Sequence, residues 1–166
     1  MNNLPSAVTL GEVGLRDGLQ NEKTLLSTEQ KVELLRGLID AGFKVIEVGS
    51  FMHPKAVPQM ANTDEVYKII GDVPGVELRA LIPNLRGVQR AADCGCKKVK
   101  LNVSASREHN LKNLNMTPEQ SVAGFADCVK ESEANGIAVS GSISMPFASP
   151  WEGRIPVSEV EAITEA

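Results

Sequence analysis

The sequence lacks the positive charge, the aromatic side chains and the long apolar runs that three common functions need. Lys and Arg total 17 against 21 Asp and Glu, a formal charge of −4, whereas a nucleic-acid-binding surface needs a basic excess. Aromatics are only 4% of the chain, too few for a platform on which bases stack. No apolar run approaches the ~20 residues of a membrane span. Met1-Asn2-Asn3-Leu4-Pro5 has neither the basic start nor the apolar stretch of a signal peptide. Cysteine is scarce too: Cys94, Cys96 and Cys128 are an odd count without zinc-finger spacing. The expectation is a protein of a reducing, cytoplasmic setting with no nucleic-acid or membrane partner.

What the chain does have is the make-up of a folded protein. Hydrophobic residues at 42% and charged residues at 23% are ordinary globular usage and exclude intrinsic disorder. The 166 residues suit one domain of roughly 100–200. Five β-like runs stand out, Val8–Val13, Lys44–Val48, Glu77–Ile82, Lys97–Val103 and Ile137–Met145, several of them short and apolar as buried parallel strands are. Helical stretches lie between them. One spans Thr28–Ala41, with Val32, Leu35, Leu38 and Ile39 on one face and Gly42 as its C-cap. Another covers Leu85–Asp93 and is closed by Gly95. Ser27-Thr28-Glu29-Gln30 reads as a capping box, Thr117-Pro118-Glu119-Gln120 adds Pro at the first helical position, and Asn62-Thr63-Asp64-Glu65 and Ser158 with Glu161 repeat the pattern more loosely.

The order β-α repeated five times predicts an α/β fold with a parallel sheet. An open doubly wound sheet and part of a (β/α)8 barrel both fit. Gly11, Gly14 and Gly18 have the wrong spacing for a dinucleotide fingerprint, and there is no P-loop. In either architecture the chemistry sits at the carboxyl ends of the strands.

The residues at those ends are therefore the candidates. Arg16 and Asp17 follow the first strand. A carboxylate is a hard oxygen ligand for Mg²⁺ or Mn²⁺, and an arginine beside it can stabilise an oxyanion or enolate. A surface ion pair in a turn, with Gly18 supplying an unusual φ, is the plainer alternative. Glu47 lies inside the apolar run Val45-Ile46-Glu47-Val48. A buried carboxylate needs a partner, and Arg16 on the neighbouring strand is the obvious one, whether to orient it or merely to tie two strands. Asn102, Ser104, Ser106, His109, Asn113 and Asn115 read as turn residues or as oxygen-binding groups in a loop. Cys94 and Cys96 read as small buried residues rather than a metal or redox pair. Trp151 reads as a pocket wall or a loop anchor, and Lys23 and Lys55 as phosphate contacts or solvated surface.

Longer stretches carry a family resemblance. Glu12-Val13-Gly14-Leu15-Arg16-Asp17-Gly18-Leu19-Gln20-Asn21-Glu22-Lys23, Val45 to Phe51, Pro54-Lys55-Ala56-Val57-Pro58-Gln59-Met60, Pro83 to Gly87, Asn113-Leu114-Asn115 and Pro150-Trp151-Glu152-Gly153 together make the chain resemble the 3-hydroxy-3-methylglutaryl-CoA lyase family over nearly its whole length. The resemblance implies a metal-dependent lyase on a (β/α)8 barrel, a divalent cation (Mg²⁺ or Mn²⁺), an acyl-CoA substrate and a homo-oligomer. It implies Arg16 and Glu47 as the catalytic arginine and the acid that orients it, Asp17 as a metal ligand, Gln20, Ser50 and Asn113 near the acyl group, and Lys23 on the CoA side.

The family's His-x-His metal pair, its catalytic cysteine and a further asparagine ligand have no match in this sequence. Met145 and Ser149 stand where many of these lyases carry cysteines, and Arg107 where they carry an acid. Leu15-Arg16-Asp17-Gly18 is shared with Claisen-type condensing enzymes of the isopropylmalate and homocitrate synthase kind, but those have Glu where this chain has Leu19. A barrel needs about 250 residues, with roughly 200 as a floor. Residues 1–166 are thus expected to be the N-terminal portion of one barrel domain, about its first five β/α units, either of a longer lyase or of a non-catalytic fragment. On its own the chain is expected to hold metal poorly and turn over little.

Overall fold

Five parallel strands stand side by side in chain order, β1-β2-β3-β4-β5, in a computed structural model that describes residues 4–166. They are β1 Gly11–Glu12, β2 Val45–Ser50, β3 Glu77–Ile82, β4 Lys98–Ser104 and β5 Ala138–Ser144. The crossovers run through α1 Thr28–Asp40, α2 Thr63–Ile70 and α3 Leu85–Asp93. The fourth crossover is three short helices, α4 Arg107–Leu114, α5 Pro118–Ala123 and α6 Phe125–Ala134. After β5 comes a small antiparallel hairpin, β6 Ala148–Ser149 with β7 Gly153–Arg154, then α7 Val157–Glu165. A doubly wound sheet reverses its strand order at a switch point. No reversal occurs here, so the sheet is a curled parallel half-barrel, part of a (β/α)8 barrel. Among the described residues no helix is long and apolar enough to cross a membrane.

The two faces of the sheet differ because β3 and β4 alternate strictly. Leu78, Ala80, Ile82, Val99, Leu101 and Val103 are buried, whereas Glu77, Arg79, Lys98, Lys100 and Asn102 are only partly so. The apolar set packs on Val32 and Leu35 of α1, Val66 of α2 and Val88 and Ala91 of α3. Each such large side chain stabilises the fold by about 1.5–3 kcal/mol. The polar set faces the concave side. Of the strands, several of which are expected to be short and apolar, β2 is buried almost throughout, whereas β3 and β4 alternate.

Boundaries differ where local cues meet tertiary constraints. β1 is two residues rather than Val8–Val13, because Gly11 pairs with Val45, the first residue of β2. The described residues just before Gly11 lie opposite the turn at Gly42 (φ 97°) and join no ladder, leaving Val8 and Leu10 76% and 68% exposed. The boxes at Ser27 and Thr117 form in full. Asn62 does not cap α2 with its side chain. Its amide instead donates to Thr28 Oγ1 at 3.1 Å and accepts from Lys31 Nζ at 2.6 Å. Lys31 is buried, which pulls its ammonium below the usual lysine range, and it also donates to the Gln59 carbonyl. Gln59 in turn donates to the Glu22 carbonyl at 2.8 Å. The Val57-Pro58-Gln59-Met60 stretch is thus a clasp between the loops that follow β1 and β2. The last helix starts at Val157 behind Pro156, with no side-chain cap from Ser158.

β2 carries a bulge. Glu47 pairs with Arg79, but Gly49 pairs with Ala80 and Ser50 with Leu81. The extra residue turns Gly49 toward α2 and Ser50 toward the concave face. A Cβ on Gly49 would lie 2.5 Å from Thr63 Oγ1 and 3.0 Å from its Cγ2, and Thr63 is itself buried and bonded to the Met60 carbonyl at 2.8 Å. Gly49→Ala is therefore expected to cost about 1–3 kcal/mol in urea denaturation of the chain. A loss near zero would show that α2 retreats freely.

Candidate functional site

A glutamate on the middle of an apolar strand fixes the site. Glu47 is fully buried, and an unpaired carboxylate there would cost several kcal/mol. Arg16 Nε donates to its Oε1, and Lys100 Nζ donates to its Oε2 at 2.6 Å. Arg79 Nε stands 3.9 Å from the same Oε2. Arg16 is the partner the sequence suggests. Lys100 and Arg79 are not foreseen, although the alternations Glu77-Leu78-Arg79-Ala80 and Lys98-Val99-Lys100-Leu101 carry the signal, since they place charged side chains on the polar faces of β3 and β4.

Arg16 is delivered by a π-helical turn, Gly14–Gly18. The amides of Arg16, Asp17 and Gly18 all point at the Val13 carbonyl, at 3.1, 2.7 and 3.4 Å. Such turns recur at functional sites. Leu15 anchors the turn in the core. Arg16 is left 15% exposed and Asp17 57%, joined by an Nη1–Oδ1 bond of 2.7 Å. The unusual φ expected at Gly18 is absent, since this glycine is not among those with positive φ. The widened turn does the bending instead.

Ser50 is fully buried, and its hydroxyl has no hydrogen-bond partner. Its register beside Leu81 puts it on the same face as Glu47. Gln20 is half-buried just past the turn, and Lys23 is exposed. Asn113 belongs to a separate cluster on α4, a helix where the sequence suggests a loop. Its amide lies 2.8 Å from His109 Nε2, His109 stacks on Trp151 at 5.9 Å, and Lys112 Nζ sits 4.1 Å from the Trp151 ring centroid. Ser106 Oγ donates to the Glu152 carboxylate, so the loops after β4 and β5 are tied together and Trp151 is a loop anchor. Asn115 closes α4 in the left-handed region (φ 54°). Asn102, expected in a turn or an oxygen-binding loop, lies within β4 on its partly exposed face, and its Oδ1 accepts from Ser142 and Ser144 at 2.8 and 2.9 Å.

The cysteines take no part. All three are free and buried. Burial raises each thiol, Cys94 to about 12, which keeps them protonated and unreactive near neutral pH.

The donor set for a divalent ion is incomplete within the described residues. Asp17 is one hard oxygen ligand, already shared with Arg16, and no group of three His, Cys, Asp or Glu among the described residues could hold an ion. A cation of this kind takes about six oxygen or nitrogen donors in all. The residues present do not fit a bound metal by themselves.

Comparisons with known proteins agree on one neighbourhood. The profile of the HMGL-like family matches residues 7–166. The chain is 42% identical over 165 residues to the mitochondrial hydroxymethylglutaryl-CoA lyase of Macaca fascicularis and 41% identical to that of Homo sapiens, in each case covering 99% of this chain and 51% of the relative. It superposes on a hydroxymethylglutaryl-CoA lyase from Pseudomonas aeruginosa with a TM-score of 0.92 at 39% identity, covering 98% of this chain and 54% of the other. An HMG-CoA lyase from Acinetobacter baumannii, solved with coenzyme A and 3-methylmalate, gives a TM-score of 0.90 at 38% identity, covering 95% and 51%. The chain spans about half the length of the curated relatives it matches.

Calorimetric titration of the 166-residue chain with Mg²⁺ or Mn²⁺ is expected to give no saturable heat. Tight, stoichiometric binding would show that Asp17 and its neighbours suffice.

Proposed function

The chain belongs to the HMGL-like family, and from that premise we propose that it forms the N-terminal portion, residues 1–166, of one catalytic barrel that cleaves 3-hydroxy-3-methylglutaryl-CoA to acetyl-CoA and acetoacetate. The observation that carries the reading is the Arg16 guanidinium, pinned from behind by a buried Glu47 and flanked by Asp17. In the reaction the substrate's 3-hydroxyl loses its proton and becomes the ketone of acetoacetate. The electrons of the C2–C3 bond pass to the thioester, whose enolate oxygen carries the new negative charge until C2 is protonated. Arg16 has donors beyond those given to Glu47 and Asp17. A donor fixed before the charge forms stabilises it at no reorganisation cost. Glu47 holds that donor still.

Ser50, with a buried hydroxyl lacking a partner, and Gln20 are assigned to the acyl group. Asn113 is assigned there too, reached through α4, and Lys23 to the CoA side. Asp17 brings one oxygen donor to a divalent cation, Mg²⁺ or Mn²⁺, which supplies Lewis acidity when bound and needs donors from outside the described residues. The setting is a reducing one, the cytoplasm, in keeping with three unpaired buried cysteines. The relatives described above are named as lyases and none as a condensing enzyme, which favours cleavage over condensation.

A full-length protein carrying this chain, given Mg²⁺ and 3-hydroxy-3-methylglutaryl-CoA, is expected to release acetyl-CoA and acetoacetate. Arg16→Gln is expected to lower kcat by about 10²–10³-fold. No cleavage by the full-length protein would end the lyase reading. Self-association is also expected, since among the described residues β5 pairs only with β4 and Val8, Leu10 and Phe147 are exposed. Sedimentation velocity of the 166-residue chain showing a strict monomer at high concentration would refute it.

A further inference from the structure

We propose that Lys100 is a positioning residue: by occupying Oε2 of Glu47 it restricts Arg16 to a single bond through Nε and keeps the arginine's terminal nitrogens available at the mouth of the half-barrel. Only its kinetic consequence rests on the lyase reading above.

The argument starts from how arginine meets a carboxylate. With both oxygens open, the pair closes as a fork of two parallel N–H···O bonds. Here it does not. Arg16 gives Nε to Oε1 and turns Nη1 to Asp17. Glu47 is fully buried, so bulk water is not there to satisfy Oε2. The donor that does so is Lys100 Nζ at 2.6 Å. Arg79 Nε, at 3.9 Å from the same oxygen, is beyond hydrogen-bond range and makes no hydrogen bond at all.

Topology explains why a lysine is needed. Lys100 lies on β4, two strands from Glu47, with Leu81 of β3 opposite it in the ladder. Its long flexible stem crosses β3 on the concave face and ends in a compact charge. Without that ammonium, Oε2 is a buried acceptor with no donor, a costly state. Arg79 Nε stands 3.9 Å from that oxygen on β3, but Arg16 already holds Oε1 of the same carboxylate and only it can complete a two-bond fork. The donors drawn to Oε2 are therefore the terminal nitrogens of Arg16. They rotate in, the fork closes, and the guanidinium is drawn from the mouth toward the sheet.

The test has two arms. In the isotope-labelled 166-residue chain, the side-chain NMR signals of Arg16 are followed. In K100M the Nη2 protons are expected to become separate and slowly exchanging, as a closed fork prevents rotation, whereas K100R leaves them as in the wild type. Should K100M not fold, K100Q reads the same signals, because its shorter amide falls short of Oε2 while keeping the interior polar. Unchanged Arg16 signals in the folded variant overturn the proposal. In the full-length protein, K100M is expected to lower kcat by about 10–100-fold with KM within about threefold, as a misplaced catalytic group does. K100R is expected to recover to within about fivefold, and R79M to lose less than about threefold. Equal losses in K100M and R79M, or a change confined to KM, overturn it. A closed fork in K100M together with no cleavage by any version upholds the positioning role and ends the lyase reading instead.

Discussion

A carboxylate buried in a β-strand sets the terms for everything around it. Glu47 lies between Ile46 and Val48, both buried on the helix-packed side, and it cannot be solvated where it is. Its cations must come from other elements, and they do: Arg16 from the turn after β1, Lys100 from β4, with Arg79 of β3 further off. One acidic side chain thus couples four consecutive strand units. Because removing a single partner from a buried pair is far costlier than the pair is worth, the cluster specifies geometry more than it adds stability. That is the property a catalytic constellation requires.

The loops above the sheet are tied in the same manner, with local hydrogen-bonding groups diverted to long-range use. Asn62 and Lys31 join α1 to the segment before α2, and Gln59 reaches back to the Glu22 carbonyl. Asn110 is buried and spends its amide on Ser104 N, Met116 O and Ser121 Oγ, at 2.9, 2.8 and 2.8 Å, seating α4 and α5 on the end of β4. The stretches that carry the family resemblance are therefore of two kinds. Arg16-Asp17 and Glu47 make the ionic cluster, whereas Val57 to Met60 hold the loops after β1 and β2 together.

How much was legible in the sequence follows the range of the interaction. Capping boxes at Ser27 and Thr117 involve residues three apart, and they appear as read. The Glu47–Arg16 pair was legible because an acid in an apolar run raises a question that few residues can answer. Asn62 looked like a cap and is not, because a buried lysine from another helix competes for its oxygen. Lys100 and Arg79 are legible only in the alternation within β3 and β4, which sets charged side chains on one face of otherwise apolar strands, and not at the strand ends. The short β1 was unreadable in its own residues, since its length is set by where β2 begins. Ser50 as a substrate contact came from resemblance alone, and only the register shows its side.

The bulge in β2 acts as a change of phase. Before it, odd-numbered residues of the strand face the concave side, as Glu47 does; after it, even-numbered ones do, as Ser50 does. With an unbroken period of two, Gly49 would line the interior and Ser50 would be pushed against Thr63. One extra residue therefore assigns a bare backbone to the helix layer and a hydroxyl to the cleft. The strand is written in two frames, the first serving the ionic centre and the second the rim. An aligned relative without that offset would present a different chemical group at the rim while keeping every neighbouring letter the same.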